Sequence, residues 1–101
     1  MVKIRLFCAA GFSTGMLVRN MRKAAEEKGV EADIDACAIG ALKDEVNGLN
    51  IALLGPQVSY TMKASKEIAD QKGVPLAVIP MSDYATLNGA KVLDFALSLI
   101  R

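Results

Sequence analysis

KIRLFCAAGFSTGMLVRN, residues 3–20, is the stretch on which the fold turns. Lys3 to Ala9 is a short apolar run carrying its charges, Lys3 and Arg5, early, as a strand entering a core does. Cys8 lies at the strand's end. Between Cys8 and Arg19 no residue is charged, and Ala9 to Gly15 is built of small residues, two glycines and two hydroxyls. Helical spacing then takes over: Leu17, Met21, Ala24 and Ala25 share one face, Arg19, Arg22, Lys23, Glu26 and Glu27 lie mostly elsewhere, and Gly29 supplies a C-terminal cap. The segment reads strand, loop, helix.

The same unit recurs outward from it. Val30 to Ile39 alternates loosely, with Ala32, Ile34 and Ala36 against Glu31, Asp33 and Asp35, as a half-buried edge strand would, and Ala41 to Val46 suits a short helix. Leu49 to Gly55 reads as a core strand ended by Gly55-Pro56, and Tyr60 to Lys72 as a helix closed by Gly73. Pro75 to Pro80 is the last strand. Leu93, Ala96, Leu97 and Ile100 are expected to form the core face of the final helix. Strands alternating with helices predict a small open four-stranded parallel α/β sheet, order 2-1-3-4, with helices on both faces and one domain over residues 1–101. Ligands of such sheets sit beyond the strand carboxyl ends where the order reverses, which places the expected site at Cys8.

Composition narrows the chemistry. The 101 residues suit one compact core, and a hydrophobic fraction of 52% with only 5% aromatic fits helices on a buried sheet better than a stacking surface for bases. Twelve basic against eleven acidic residues give a net charge of +1 and no general pull toward nucleic acid or an anionic membrane. The apolar start is too short for a signal peptide and no run of about 20 apolar residues occurs, so a cytoplasmic location is expected. With no His, and with Cys8 and Cys37 forming neither a CxxC pair nor a zinc cluster, no metal and no cofactor are expected.

Cys8 and the loop after it form the candidate site. Small residues let backbone N–H groups turn inward, a helix start leaves further N–H groups unpaired, and its dipole adds partial positive charge. Such a loop cradles an anion, and the donors that hold a phosphate also favour a thiolate. Cys8 is then the expected nucleophile, with Ala9, Ala10, Gly11, Phe12, Ser13, Thr14 and Gly15 as the phosphate cradle. A cysteine ending an apolar strand is more often a small buried hydrophobe; its combination with this loop at the switch point favours function.

Cys8-Ala-Ala-Gly-Phe-Ser-Thr-Gly-Met-Leu-Val18 after a hydrophobic strand resembles the phosphorylation loop of the enzyme IIB components of the lactose/cellobiose phosphotransferase family, and Leu53-Leu-Gly-Pro-Gln-Val-Ser-Tyr60 is similar to the segment following their third strand. Phe12 and Gly15 stand where Met and Ser are more usual. The resemblance spans essentially the whole chain and implies a phosphotransferase. It takes a phosphoryl group from a phosphohistidine of enzyme IIA onto Cys8 and passes it to a sugar, such as cellobiose or lactose, bound by the membrane component, enzyme IIC. A monomer with transient contacts is expected.

Other candidates carry less. Gln57, Ser59 and Tyr60 after the third strand, and Asp83 and Tyr84 after the fourth, fall on the same side as Cys8; Gln57, Tyr60 and Tyr84 are candidate partner contacts, against a plain reading as turn, cap and solvated loop. Arg19, Arg22 and Lys23 either steer an acidic partner or simply solvate their helix. Cys37 is expected to be an inert thiol, packed or partly exposed. Two rival readings are disfavoured: a C-x5-R phosphatase would need arginine where Thr14 stands, and a nucleotide site lacks Walker spacing and its Lys. A non-enzymatic binding module or a thiol redox sensor stays open, and the sensor's internal partner would be Cys37 if it lies within reach of Cys8.

Overall fold

The computed structural model describes residues 1–9 and 14–100. Four strands, β1 (Val2–Cys8), β2 (Ala32–Ala38), β3 (Ile51–Leu54) and β4 (Leu76–Val78), form one parallel sheet in the order β2-β1-β3-β4. The helices are α1 (Gly15–Glu27), α2 (Leu42–Glu45), α3 (Met62–Gln71), α4 (Met81–Ala85) and α5 (Gly89–Ser98). The chain moves one way from β1 to β2 and the other way from there to β3 and β4. Crossovers of one hand therefore put α1 on one face and α2 and α3 on the opposite face, and α5 returns to join α1.

Alternation along the strands sorts two cores. Ile4, Leu6, Ile34, Ile51 and Leu53 meet Leu17, Val18, Met21, Ala24 and Ala25 of α1 and Val92, Leu93 and Ala96 of α5. Phe7, Ala52, Leu54 and Leu76 point the other way, onto Leu42, Val46, Val58 and Ala69. β3 lies inside the sheet and all four of its residues are buried, which is why it reads as an unbroken apolar run. β2 is an edge strand. Arg5 reaches across from β1 to pin it, donating from Nη1 to the Asp33 carbonyl at 2.9 Å and from Nη2 to the Asp33 carboxylate at 3.2 Å.

α1 and α5 approach until backbone meets side-chain space. Gly89, the first residue of α5, is buried, and a Cβ there would fall 2.3 Å from the Asn20 carbonyl carbon and 2.5 Å from the Met21 nitrogen. Asn20 Nδ2 donates to the carbonyl of Leu87 at 2.8 Å, holding the left-handed turn (φ 54°) that delivers Gly89 to this position. Lys28 and Asp94 add an ion pair at the far end of α1.

Three expectations are corrected. The helix after β3 begins with a 3-10 segment, Pro56–Thr61, so Tyr60 lies in the lead-in to α3. Pro80 fixes an extended residue before α4, making a short helix where loop residues were expected around Asp83 and Tyr84. Ile100 falls past the end of α5 and is 46% exposed; Val92, Leu93 and Ala96 carry the buried face instead. Among the described residues no helix is long and apolar enough to cross a membrane.

Candidate phosphoryl-transfer site

β1 stops at the point where the strand order reverses, and Cys8 is its last residue. Alternation turns the Cys8 side chain to the same face as Ile4 and Leu6, toward α1. There Thr14, the N-cap of α1, brings its hydroxyl oxygen 3.4 Å from Cys8 Sγ. Both residues are fully buried, whereas Ala9, one residue beyond Cys8, is exposed. The sulfur thus lies one residue below the surface at the carboxyl end of the sheet.

Thr14 is an unusual cap. N-cap side chains ordinarily accept from a backbone N–H two or three residues on, with the cap residue in extended conformation. Thr14 instead has φ −93° and ψ −4° and makes no such bond; its hydroxyl meets the sulfur, while its carbonyl accepts from Val18 N at 2.9 Å. The first N–H groups of a helix have no partner within it, so those of α1 start beside the thiol with their partial positive charge. Gly15 is exposed, and a side chain there would meet nothing within 4 Å among the described residues. Ala10, Gly11, Phe12 and Ser13 of the expected cradle lie outside the described residues.

Two of the expected partner contacts come together. Gln57 Nε2 donates to Tyr84 Oη at 2.8 Å, bridging the segments that follow β3 and β4. Gly55 makes this geometry accessible: a Cβ on it would fall 2.5 Å from Gln57 Oε1, and its own N–H donates to the Phe7 carbonyl at 2.8 Å, one residue before Cys8. Tyr84 packs in part against the α1-side core, so it is a wall as much as a surface. Tyr60 stands apart at 82% exposed. Sequence reasoning did not reach the Gln57–Tyr84 bond, because it depends on α4, whose five residues carry little periodic signal. Arg22 is committed to the fold, its Nε donating to the Ile34 carbonyl at 2.8 Å; Arg19 and Lys23 are exposed on α1.

Cys37 presents a different environment. It pairs with Phe7, not Cys8, so it shares the Phe7 face and packs against the α2/α3-side core. Burial pushes its thiol above the ordinary value, with the Glu45 carboxylate adding to the effect. With the two sulfurs on opposite faces of the sheet, a disulfide between them would require the backbone to move. Among the described residues no three His, Cys, Asp or Glu side chains gather as a metal site requires.

Fold and site together describe a small doubly wound α/β protein with a buried thiol at its switch point. Residues 3–95 match the family described as PTS system, Lactose/Cellobiose specific IIB subunit, and the chain belongs to that family of phosphotransferase system components, which are phosphotransferases. It is 36% identical over 100 residues to the oligo-beta-mannoside-specific EIIB component of Bacillus subtilis, covering 99% of this chain and 97% of that one. It is 39% identical over 102 residues to the galactose-specific EIIB component of Lactococcus lactis, covering 96% and 94%. The lactose-specific IIB domain of Streptococcus pneumoniae superposes with a TM-score of 0.89 at 22% identity, covering 99% and 98%, and so shares the fold. The lactose-specific EIICB component of Lacticaseibacillus casei matches 96% of this chain at 31% identity, the matched part being 17% of that protein; IIB and IIC parts are joined in one polypeptide there.

Proposed function

We propose that Cys8 is the phosphorylated residue: it accepts a phosphoryl group from a phosphohistidine of enzyme IIA and transfers it to a sugar held by enzyme IIC. The observation that carries this reading is the placement of a buried thiol at the switch point, against the N-cap residue of a helix that follows an uncharged, glycine-containing segment. Ala9 to Gly15 form the cradle for the phosphoryl oxygens, with backbone N–H groups as the donors. Thr14, standing where a C-x5-R phosphatase has its arginine, leaves the site without the cation that clamps an ester hydrolysis transition state. The chain has no His to activate water. Both departures suit a carrier whose phosphocysteine must survive until its acceptor arrives.

The whole of residues 1–101 acts as one IIB domain, a monomer on the cytoplasmic side of the membrane. IIC is the acceptor-bearing partner, as the joined IIC and IIB parts in a relative support. Gln57, Tyr60 and Tyr84, arranged after β3 and β4, contribute to its docking surface. The sugar is a β-linked disaccharide such as cellobiose or lactose, since the family description carries both names. The test is reconstituted transfer from phosphoenolpyruvate to such a sugar by the general phosphotransferase proteins, enzyme IIA, this chain and IIC-containing vesicles. Sugar phosphate is expected with the wild type. None is expected with Cys8→Ser, and turnover by that variant would refute the proposal.

A further inference from the structure

We infer that the Thr14 hydroxyl serves the Cys8 sulfur, stabilising it as the leaving group when the phosphocysteine is discharged. This rests on the carrier reading above and assigns Thr14 a role in one half of the reaction.

The geometry has three parts. Thr14 is fully buried, so its hydroxyl does not face an incoming partner. Its Oγ1 lies 3.4 Å from Cys8 Sγ, within reach of a hydrogen bond to sulfur. Its conformation withholds the hydroxyl from the capping bond that a threonine at this position ordinarily makes. Either atom can donate while Cys8 is a thiol, but a thiolate has no proton, and then the hydroxyl is the donor. Phosphorylation uses one sulfur lone pair, and another still accepts from Thr14.

The two half-reactions use this bond unequally. In acceptance, the Sγ electron pair forms the S–P bond, the N–P bond of the donor phosphohistidine breaks, and its electron pair returns to the imidazole nitrogen. In this direction charge leaves the sulfur, so a hydrogen bond to it does not favour the transition state over the thiolate, and its effect on the rate is smaller. In discharge, the attacking nitrogen or sugar oxygen forms its bond to phosphorus and the S–P pair returns to Sγ; a sugar hydroxyl gives up its proton to water, and a histidine nitrogen has none to lose. Negative charge then grows on sulfur, and a donor already in place stabilises it. Loss of the hydroxyl therefore slows discharge more than acceptance.

The experiment loads wild type, Thr14→Val and Thr14→Ser from phosphorylated enzyme IIA, removes the donor, and follows discharge to excess unphosphorylated enzyme IIA by intact mass. Thr14→Val is expected to discharge about ten- to a hundredfold more slowly, as loss of a hydrogen bond to a charged group implies, with a smaller effect on loading. Thr14→Ser is expected to restore the wild-type rate. Discharge of Thr14→Val at the wild-type rate, or Thr14→Ser as slow as Thr14→Val, overturns the inference, the second because packing and not the hydroxyl would be at work. Failure of wild-type Cys8 to load from a donor shown to be phosphorylated is a different result. It removes the carrier reading itself.

Discussion

Cys8 and Cys37 sit on adjacent parallel strands one register step apart, Cys8 opposite Ala38 and Cys37 opposite Phe7, yet their surroundings share almost nothing. One step of alternation sends Cys8 to the α1 face, where a helix starts against its sulfur. The same step sends Cys37 to the opposite face, among Ile39, Phe7 and their neighbours, where burial and the Glu45 carboxylate hold it neutral. Register therefore makes one thiol a candidate nucleophile and the other a packing residue, although both lie near the carboxyl ends of neighbouring strands. Differences between two cysteines of one chain can thus be read from sheet geometry, where residue type says nothing.

The largest test of this contrast is substitution. Cys8→Ser is expected to abolish phosphoryl acceptance, and Cys37→Ser to leave it at the wild-type rate; retained acceptance in the first, or its loss in the second with the fold intact by circular dichroism, would break the comparison. A structural contrast follows on the Cys8 face itself. Gly89→Ala drives a Cβ to 2.3 Å from the backbone of α1 and is expected to cost about 2–3 kcal/mol in denaturant unfolding. Gly15→Ala, at the start of the same α1, meets nothing within 4 Å among the described residues and is expected to be neutral or to stabilise by up to about 1 kcal/mol. Equal effects of the two would mean that the α1–α5 contact does not hold the helix against the sheet.

The smallest effect concerns reactivity of Cys37. Burial holds its thiol above the ordinary value, so the folded chain keeps the proton at a pH where an unfolded chain would lose it. Alkylation of Cys37 in the Cys8→Ser variant by iodoacetamide should stay slow through neutral pH and rise only at a higher pH than in the unfolded chain. Rapid alkylation at pH 7 would contradict the packed assignment.

Much of this architecture was legible in residues 3–20. The buried β3 and the period of α1 are long-range consequences with local signatures, and with a parallel sheet they leave 2-1-3-4 as the simplest doubly wound order. The rest depends on contacts between distant segments. Ile100 has the spacing of a core residue but lies beyond the last helical turn, and α4 has too few residues for a period to show. Thr14 was visible as a hydroxyl in the loop, but its preference for the sulfur over its own helix depends on backbone angles that spacing does not encode. The Gln57–Tyr84 bond similarly requires β3 and β4 to be neighbours first.

The central claim, that Cys8 carries the phosphoryl group, is tested most directly by mass spectrometry. The intact chain is incubated with phosphoenolpyruvate, the general phosphotransferase proteins and enzyme IIA, then digested under conditions that preserve thiophosphate, and the modified peptide is sequenced. The account predicts a single phosphate, on Cys8. A phosphate on any other residue, or none while enzyme IIA is shown to be phosphorylated, would contradict it.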